Sequence, residues 1–294
     1  MISEQDNLII HPTQDGSFTF FSQKFNEAFH SNYGAKQESY QKFAQPTQVQ
    51  ALAKTGRVRI LDICYGLGYN TAAALAVIWQ ENPDCVVEVI GLEINSEVPQ
   101  AAINQNIFND WGDRYIQILA ALAFNNYYHD DCVQAKLLIG DGRTTIQKIR
   151  QSGFLADAIF LDPFSPPQCP QLWTIEFIHN VVLCLSQSGL LATYSCAAAV
   201  RTALLTAGLV IGSTTPVGRR TPGTIAAHSR YIEQEITDNY PLSPAEIEHL
   251  NTRAAIPYRD PQLSDSAEII IERRQQEQQK STLEPTSQWR KRWN

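Results

Sequence analysis

No uninterrupted apolar stretch in the sequence approaches the roughly 20 residues needed to cross a bilayer. The opening residues, MISEQDNLIIHPTQDG, lack the basic and apolar regions of a secretory signal, so a cytoplasmic protein without membrane attachment is expected. Cysteine occurs at Cys64, Cys85, Cys132, Cys169, Cys184 and Cys196, but never as CxxC and never at Cys/His ligand spacing. Reduced, mostly buried thiols are expected, and no metal site is indicated. Charge is sparse as well. Charged residues make up 18% of the chain against 44% hydrophobic residues, a ratio that argues against global disorder and supports a large core. The net charge of -7 argues against a protein that coats nucleic acid through counterion release. It leaves room for a local basic face, at Arg219 and Arg220 and again over residues 289–293, although a solvated loop and a frayed tail account for the same residues.

At 294 residues the chain fits one main domain with appendages. Residues 17–50 mix a short alternating stretch with a polar aromatic segment before Pro46, which reads as a β-hairpin or extended arm leading into a helix. From Arg57 the pattern changes: RVRILDICYGLG is an apolar strand ending in a Gly-rich turn, and the following NTAAALAVIWQ is helical. The cycle recurs through a strand at 85–94, a helix-like VPQAAINQN, a strand near 136–139 and a strand at 156–164. Strands alternating with helices imply right-handed parallel crossovers. The later run GLLATYSC, AAVRTALLTAG and LVIGSTT, then the basic turn PVGRRTPG and TIAAH, places an antiparallel hairpin at the end of the sheet. The expected architecture is a doubly wound, Rossmann-like α/β sheet, mostly parallel. We divide the chain into an N-terminal β/helix arm at 1–54, the α/β domain at 55–238 and a C-terminal extension at 239–294. The extension should hold a capped helix at SPAEIEHL, and its last fifteen or so residues should be disordered.

The segment from Asp62 to Asn70, containing Cys64, Tyr65, Gly66 and Gly68, lies between strand and helix, where glycines let the backbone approach a ligand. A glycine pair alone equally suits a tight turn. Its spacing differs from GxGxxG and no P-loop lysine follows, which counts against nicotinamide and phosphate cradles. Glu93, at the end of the next strand, can accept two hydrogen bonds from ribose hydroxyls. Asp141, in IGDGR, supplies an acceptor where a purine amino group would lie, or else a helix N-cap. The fourth strand ends in LDPFSPP, with Asp162, Phe164, Ser165 and Pro166, followed by Pro170 and Trp173. These prolines stiffen a loop that either holds a carboxylate and aromatics over the strand ends or is a rigid connector with a buried Phe and Trp. Four acids, one per strand end, suit a cofactor that is cationic at a sulfonium and carries no phosphates.

These residues resemble the MnmC-like tRNA methyltransferases, which methylate 5-aminomethyl-2-thiouridine at the wobble position. The matching pieces are DGSFTFFS, EAFHSNYGAKQES, LDICYGLGYNT, GLEI, GDGR, DAIFLDPFSPPQCPQLWT, GRRTPGT and PYRDP, over about residues 15 to 261. The LDPFSP…P..WT string is the most specific. The resemblance implies a class I methyltransferase fold and S-adenosylmethionine as donor. It implies that the loop with Asp62, Cys64, Tyr65, Gly66, Gly68 and Asn70 surrounds the methionyl part. Glu93 with Ile94 would then hold the ribose, and Gly140, Asp141 and Gly142 would lie near adenine. Asp162 would be catalytic, at the amine. Phe164, Ser165, Pro166 and Trp173 would shape the pocket around a flipped-out base, and Arg219 and Arg220 would contact tRNA phosphates. Some members carry a fused flavin oxidase for which 294 residues leave no room, so methyl transfer alone is expected, with a separate FAD-dependent oxidase or other tRNA-modifying enzyme as a candidate partner. Cys64 stands where many such loops have their first glycine. Two rivals remain at this stage, a polyamine aminopropyltransferase and a non-catalytic nucleoside-binding scaffold.

Overall fold

The computed structural model describes residues 8–228 and 236–293. Residues 1–7 of the expected arm and 229–235 of the expected α/β domain lie outside the described residues. The chain opens with a small antiparallel sheet of β1 (Leu8–Pro12), β2 (Phe18–Ser22) and β3 (Glu27–Ala28). Helix α1 (Ala35–Ser39) follows, continues into a π-helical turn (Tyr40–Ala44), and precedes α2 (Val49–Ala53). The main sheet is then built by β4 (Arg57–Ile63), α3 (Tyr69–Glu81), β5 (Val86–Glu93), α4 (Glu97–Asn104), α5 (Asp113–Asn125), β6 (Tyr127–His129), β7 (Val133–Ile139) and α6 (Gly142–Ser152). It is completed by β8 (Ala156–Leu161), α7 (Ile175–Val182), β9 (Leu185–Thr193), α8 (Ala198–Thr206), β10 (Leu209–Ser213) and β11 (Thr224–His228).

Eight strands pair in the order β10-β11-β9-β8-β4-β5-β7-β6. The five central strands are parallel, while β6 on one edge and the β10–β11 hairpin on the other run antiparallel to their neighbours. The expected doubly wound α/β sheet with its terminal hairpin is thus what forms. Strand periodicity explains how both faces are covered. Ile60, Val87 and Val89 point into one core cluster with Leu75 of α3 and Leu122 of α5, whereas Leu61, Ile63 and Ile159 point into another with Ile146 of α6 and Phe177 of α7. Helices on both faces leave the carboxyl ends of β4, β5, β7 and β8 as the open rim on which a site can form.

The structure departs from the sequence reading in several places. Helix α5 and the short β6 were not expected; α5 is amphipathic, burying Ile118, Leu119, Leu122 and Ala123, and β6 has only three residues, too few to set an alternation. Strand β9 starts at Leu185 rather than at 189, and its pairing with β8 shifts register between Ala156 and Ala158. The largest correction concerns the tail. Residues expected to be disordered form a helix at Thr286–Trp293. Trp289 stacks on His249 at 4.1 Å and donates its indole N–H to the Ala245 carbonyl at 2.8 Å, so two aromatic residues in a polar segment supply the anchor that composition did not reveal. Arg292 pairs with Glu248 and Glu284, which neutralises part of the expected basic tail. The capped helix does form at Pro244–His249, with Ser243 and Glu246 making a reciprocal capping box. Among the described residues no helix is long and apolar enough to cross a membrane, and no cluster of three or more His, Cys, Asp or Glu could hold a metal.

Candidate active site

A cavity of about 910 Å³ opens over the carboxyl ends of β4, β5, β7 and β8, and the segment between β3 and the π-helical turn forms its far wall. The turn after β4 brings the chain into it. Cys64 sits at φ 66°, Gly66 at 56° and Gly68 at 96°, so the turn needs left-handed backbone at three positions, one of them filled by a cysteine. A Cβ at Gly68 would stand 2.7 Å from the Tyr65 hydroxyl oxygen, and one at Gly66 would meet the Phe29 ring at 3.2 Å. Both glycines therefore answer to close packing as well as to φ.

Glu93 ends β5 with its side chain 7% exposed. Its Oε2 accepts the Gly66 N–H and its Oε1 the Asn95 N–H, both at 2.9 Å. Burial pushes its carboxyl above the usual carboxylate range, against those backbone bonds. Glu93 lines the cavity, and a carboxylate has acceptor capacity beyond these two bonds. Ile94 beside it is 58% exposed and Ile139 is 38% exposed; both line the cavity and offer the apolar surface a purine ring prefers. Gly140 and Gly142 flank Asp141 on the same rim. Asp141 N-caps α6 by accepting the Arg143 N–H, and Arg143 also grips both its carboxylate oxygens. Burial would raise the Asp141 carboxyl, but these bonds hold it below its ordinary value. The structure contains the N-cap, and the same side chain, 40% exposed, lines the cavity.

Asp62 lies apart from the cavity lining. It is fully buried, its Oδ2 accepts the Thr71 hydroxyl at 2.7 Å, and burial pushes its carboxyl up to about 7. It props the loop from beneath. Asp62 Oδ1 and Asn70 Oδ1 are buried without a hydrogen-bond partner among the described residues. Asn70 itself lines the cavity.

Asp162 follows β8 and is half-buried at the cavity floor. Asn70 Nδ2 donates to its Oδ2 at 2.9 Å. Burial pushes its carboxyl up to about 8; the Asn70 bond and the charge of Lys42 oppose that rise, while Asp62 and Glu38 reinforce it. Phe164 and Ser165 line the cavity, but both are already engaged by β3 and its flanks. Phe164 stacks on Phe25 at 4.5 Å and meets Phe29 edge-on at 5.0 Å, and Glu27 accepts from both the backbone N–H and the hydroxyl of Ser165. Trp173 does not face the site. It is fully buried and donates its indole N–H to the Phe164 carbonyl at 2.8 Å, the rigid-connector alternative. Pro166 is likewise buried away from the cavity lining. Arg219 lines the cavity, lying over the Tyr194 ring at 4.9 Å and donating to the Tyr194 carbonyl. Arg220 is exposed and does not line it.

Sequence reasoning missed the wall of the cavity formed by the N-terminal segment. Lys42 and Glu38 form an ion pair at 2.9 Å, their side chains 9% and 6% exposed, and both line the cavity. Charges so buried are rare unless paired, and a π-helical turn at a functional wall is a recurrent device. The signal available was two opposite charges four residues apart inside the aromatic segment 29–43. The residues present fit a sulfonium cofactor: a carboxylate at the end of β5, the apolar faces of Ile94 and Ile139, and a turn after β4 without the spacing of a phosphate cradle.

Comparison with known proteins agrees with this geometry. A family described as S-adenosyl-L-methionine-dependent methyltransferase matches residues 103–229. An uncharacterised protein of Methanocaldococcus jannaschii is 30% identical over 281 residues, covering 92% of this chain and 73% of the relative. The tRNA 5-methylaminomethyl-2-thiouridine biosynthesis bifunctional protein MnmC of an Acidovorax species is 25% identical over 209 residues, 67% of this chain but 32% of that protein. The chain thus spans about a third of the length of that bifunctional relative. The crystal structure of MNMC2 from Aquifex aeolicus superposes with a TM-score of 0.81 at 30% identity, covering 95% of this chain and 87% of that one. The chain belongs to the MnmC2-type family of S-adenosyl-L-methionine-dependent methyltransferases.

Proposed function

We propose that this chain transfers a methyl group from S-adenosylmethionine to the primary amine of 5-aminomethyluridine, or its 2-thio form, at the tRNA wobble position. The observation that carries the reading is the placement of Asp162: it is hydrogen-bonded to Asn70 of the cofactor loop and shares one cavity with the Glu38–Lys42 wall. The family membership and the methylaminomethyl nucleoside in whose biosynthesis the bifunctional relatives are named support the choice of acceptor.

Bound there, the cofactor supplies an electrophilic methyl on a sulfonium. The loop holding Cys64, Tyr65, Gly66, Gly68 and Asn70 would take its methionyl end, Glu93 and Ile94 its ribose, and the Gly140–Asp141–Gly142 turn its adenine. The protein must align a neutral amine in line with the methyl. Asp162 acts in its ionised form, which grows as pH rises towards 8: it accepts a hydrogen bond from the amine, which aims the nitrogen lone pair, and then receives the proton released as the C–N bond forms. Lys42 favours the ionised form of Asp162 and its ion-pair partner Glu38 opposes it, so the wall as a whole is polar but carries no net charge. To reach a carboxylate between the strand ends and the N-terminal segment the base would leave its stack, with Phe164 and Phe25 as the aromatic wall. Arg219 at the rim and Arg220 beyond it would meet phosphates. A separate FAD-dependent oxidase is the partner we propose for supplying the aminomethyl precursor.

The test is methylation of a synthetic anticodon stem-loop carrying 5-aminomethyl-2-thiouridine, run beside the same stem-loop with plain uridine and beside putrescine. Transfer to the aminomethyl stem-loop alone supports the reading. Transfer to neither RNA refutes it.

A further inference from the structure

The PYRDP motif, residues 257–261, and the residues after it play no part in the chemistry above, yet they bond to Arg143, which lines the cavity. Tyr258 bridges Thr174, its carbonyl accepting the Ile175 N–H at 3.1 Å, and the Asp260 N–H donates to Glu176 at 2.8 Å, so the segment is fastened to the start of α7. The Asp260 side chain is fully buried. Its Oδ1 accepts the N–H groups of Ser264 and Asp265 at 3.0 and 3.2 Å, and its Oδ2 accepts Arg143 Nη1 at 2.8 Å. Arg143 Nη1 also donates to the Asp265 carbonyl at 2.9 Å. The rest of the same guanidinium, Nε and Nη2, grips Asp141 at 2.7 to 3.2 Å. One arginine, 13% exposed, therefore ties a carboxylate on the cavity rim to a wholly buried carboxylate in the C-terminal segment.

The chemistry of this clamp is specific. A guanidinium is a planar fork whose Nε–Nη2 edge grips one carboxylate while Nη1 reaches a second, a fixed geometry that the single ammonium of a lysine does not reproduce. Buried Asp260 needs that cation: without it a charge would remain unpaired in the interior. The clamp fixes one side of the 140–142 turn, and the Gly140 N–H bond to the Glu93 carbonyl at 2.8 Å fixes the other. Because Arg143 occupies both Asp141 oxygens, the turn's contribution to a ligand is its shape and its backbone more than a free carboxylate.

We infer that Arg143, clamped between Asp141 and Asp260, is a positioning residue for the adenine end of the cofactor, so that the 257–265 segment belongs to the cofactor site at one remove. The inference rests on the reading that the 140–142 turn flanks adenine. Rigid support of this kind acts on binding of the group it positions, not on the distant reacting atoms.

The experiment measures dissociation constants of S-adenosylhomocysteine and of 5′-methylthioadenosine, which lacks the amino-acid end, for the wild-type chain, Asp260→Asn, Arg143→Lys and Asp141→Asn. In Asp260→Asn an amide N–H must face either Arg143 or the two backbone N–H groups, so the clamp loosens while the volume is kept. Both ligands should weaken by about the same factor, on the order of tenfold, in Asp260→Asn and Arg143→Lys. The Michaelis constant for tRNA and turnover at saturating cofactor should stay at the wild-type values. Arg143→Lys is the milder change and serves if Asp260→Asn does not fold. Unchanged affinity in a folded Asp260→Asn or Arg143→Lys chain, while Asp141→Asn weakens both ligands, overturns the clamp alone. Unchanged affinity in all three overturns the clamp together with the placement of adenine. A loss confined to S-adenosylhomocysteine also overturns it, because the effect would then lie at the amino-acid end.

Discussion

Replacing Asp162 by asparagine should make the protein slower and more stable at once. The carboxyl sits at about 8 in the folded chain against an ordinary 3.8. A folded value above the unfolded one means that the folded state holds a proton which the unfolded state releases. The stability this group contributes is therefore complete below about pH 4 and is lost as pH rises towards 8. Between 3.8 and 7 the difference is 3.2 pH units, at most about 4 kcal/mol at 1.36 kcal/mol per unit. The side chain is half-buried and opens into the cavity, so solvent screening reduces the expected gain for Asp162→Asn at pH 7 to about 2 kcal/mol. Turnover moves the other way. The new amide must turn its oxygen to Asn70 Nδ2, which now donates to Oδ2 at 2.9 Å, leaving an N–H facing an amine that has to offer a lone pair. Single-turnover methylation should fall about 10²-fold or more, the usual scale for a lost base, with cofactor affinity within a few-fold. The assays are thermal unfolding of the free protein from pH 4 to 8 and a single-turnover rate on the same preparation. A lower melting temperature at pH 7 with near-normal turnover would refute both the burial argument and the catalytic assignment.

Glu93→Ala should weaken cofactor binding by about 1.5 to 3 kcal/mol through loss of charge-assisted contacts, and calorimetric titration reads this directly. Changing Arg219 and Arg220 together to Glu should raise the Michaelis constant for tRNA and lower its salt dependence while leaving cofactor affinity alone; kinetics across a salt series decide. Lys42→Met strands Glu38 in the interior and should cost about 3 to 5 kcal/mol of stability, which Lys42→Met combined with Glu38→Leu should largely restore; denaturant melts of the two variants check this. Trp289→Ala should free the Thr286–Trp293 helix, seen as fast amide hydrogen exchange there with slow exchange preserved in β4 and β8.

The strand-end acids were legible because each closes an apolar run, and a buried parallel strand must stop where polar groups begin. The order of Asp62, Glu93, Asp141 and Asp162 along the chain became one rim in space because right-handed crossovers bring every carboxyl end to the same side. What the sequence concealed was orientation. Asp62 and Asp141 have the right residue type, yet one is buried beneath the loop on Thr71 and the other, though on the cavity rim, is held by its own helix cap and Arg143. Trp173 read as a stacking surface, but its N–H needed the Phe164 carbonyl and its ring filled the core. Lys42 and Glu38 gave no signal as a site, since a charge pair four residues apart usually marks a solvated helix face; only packing of the arm against the strand ends turns it into a cavity wall. The tail failed for a related reason, because one Trp–His stack can order a segment whose composition is polar throughout.

The central claim, methylation of a wobble aminomethyl group, is tested most directly by mass. The protein is incubated with deuteromethyl-labelled S-adenosylmethionine and bulk tRNA from cells that make the aminomethyl nucleoside but cannot methylate it, and the digested nucleosides are weighed. The account predicts that the label appears in 5-methylaminomethyluridine or its 2-thio form and that the aminomethyl precursor falls by the same molar amount. Label recovered in any other nucleoside, with the precursor intact, would contradict it.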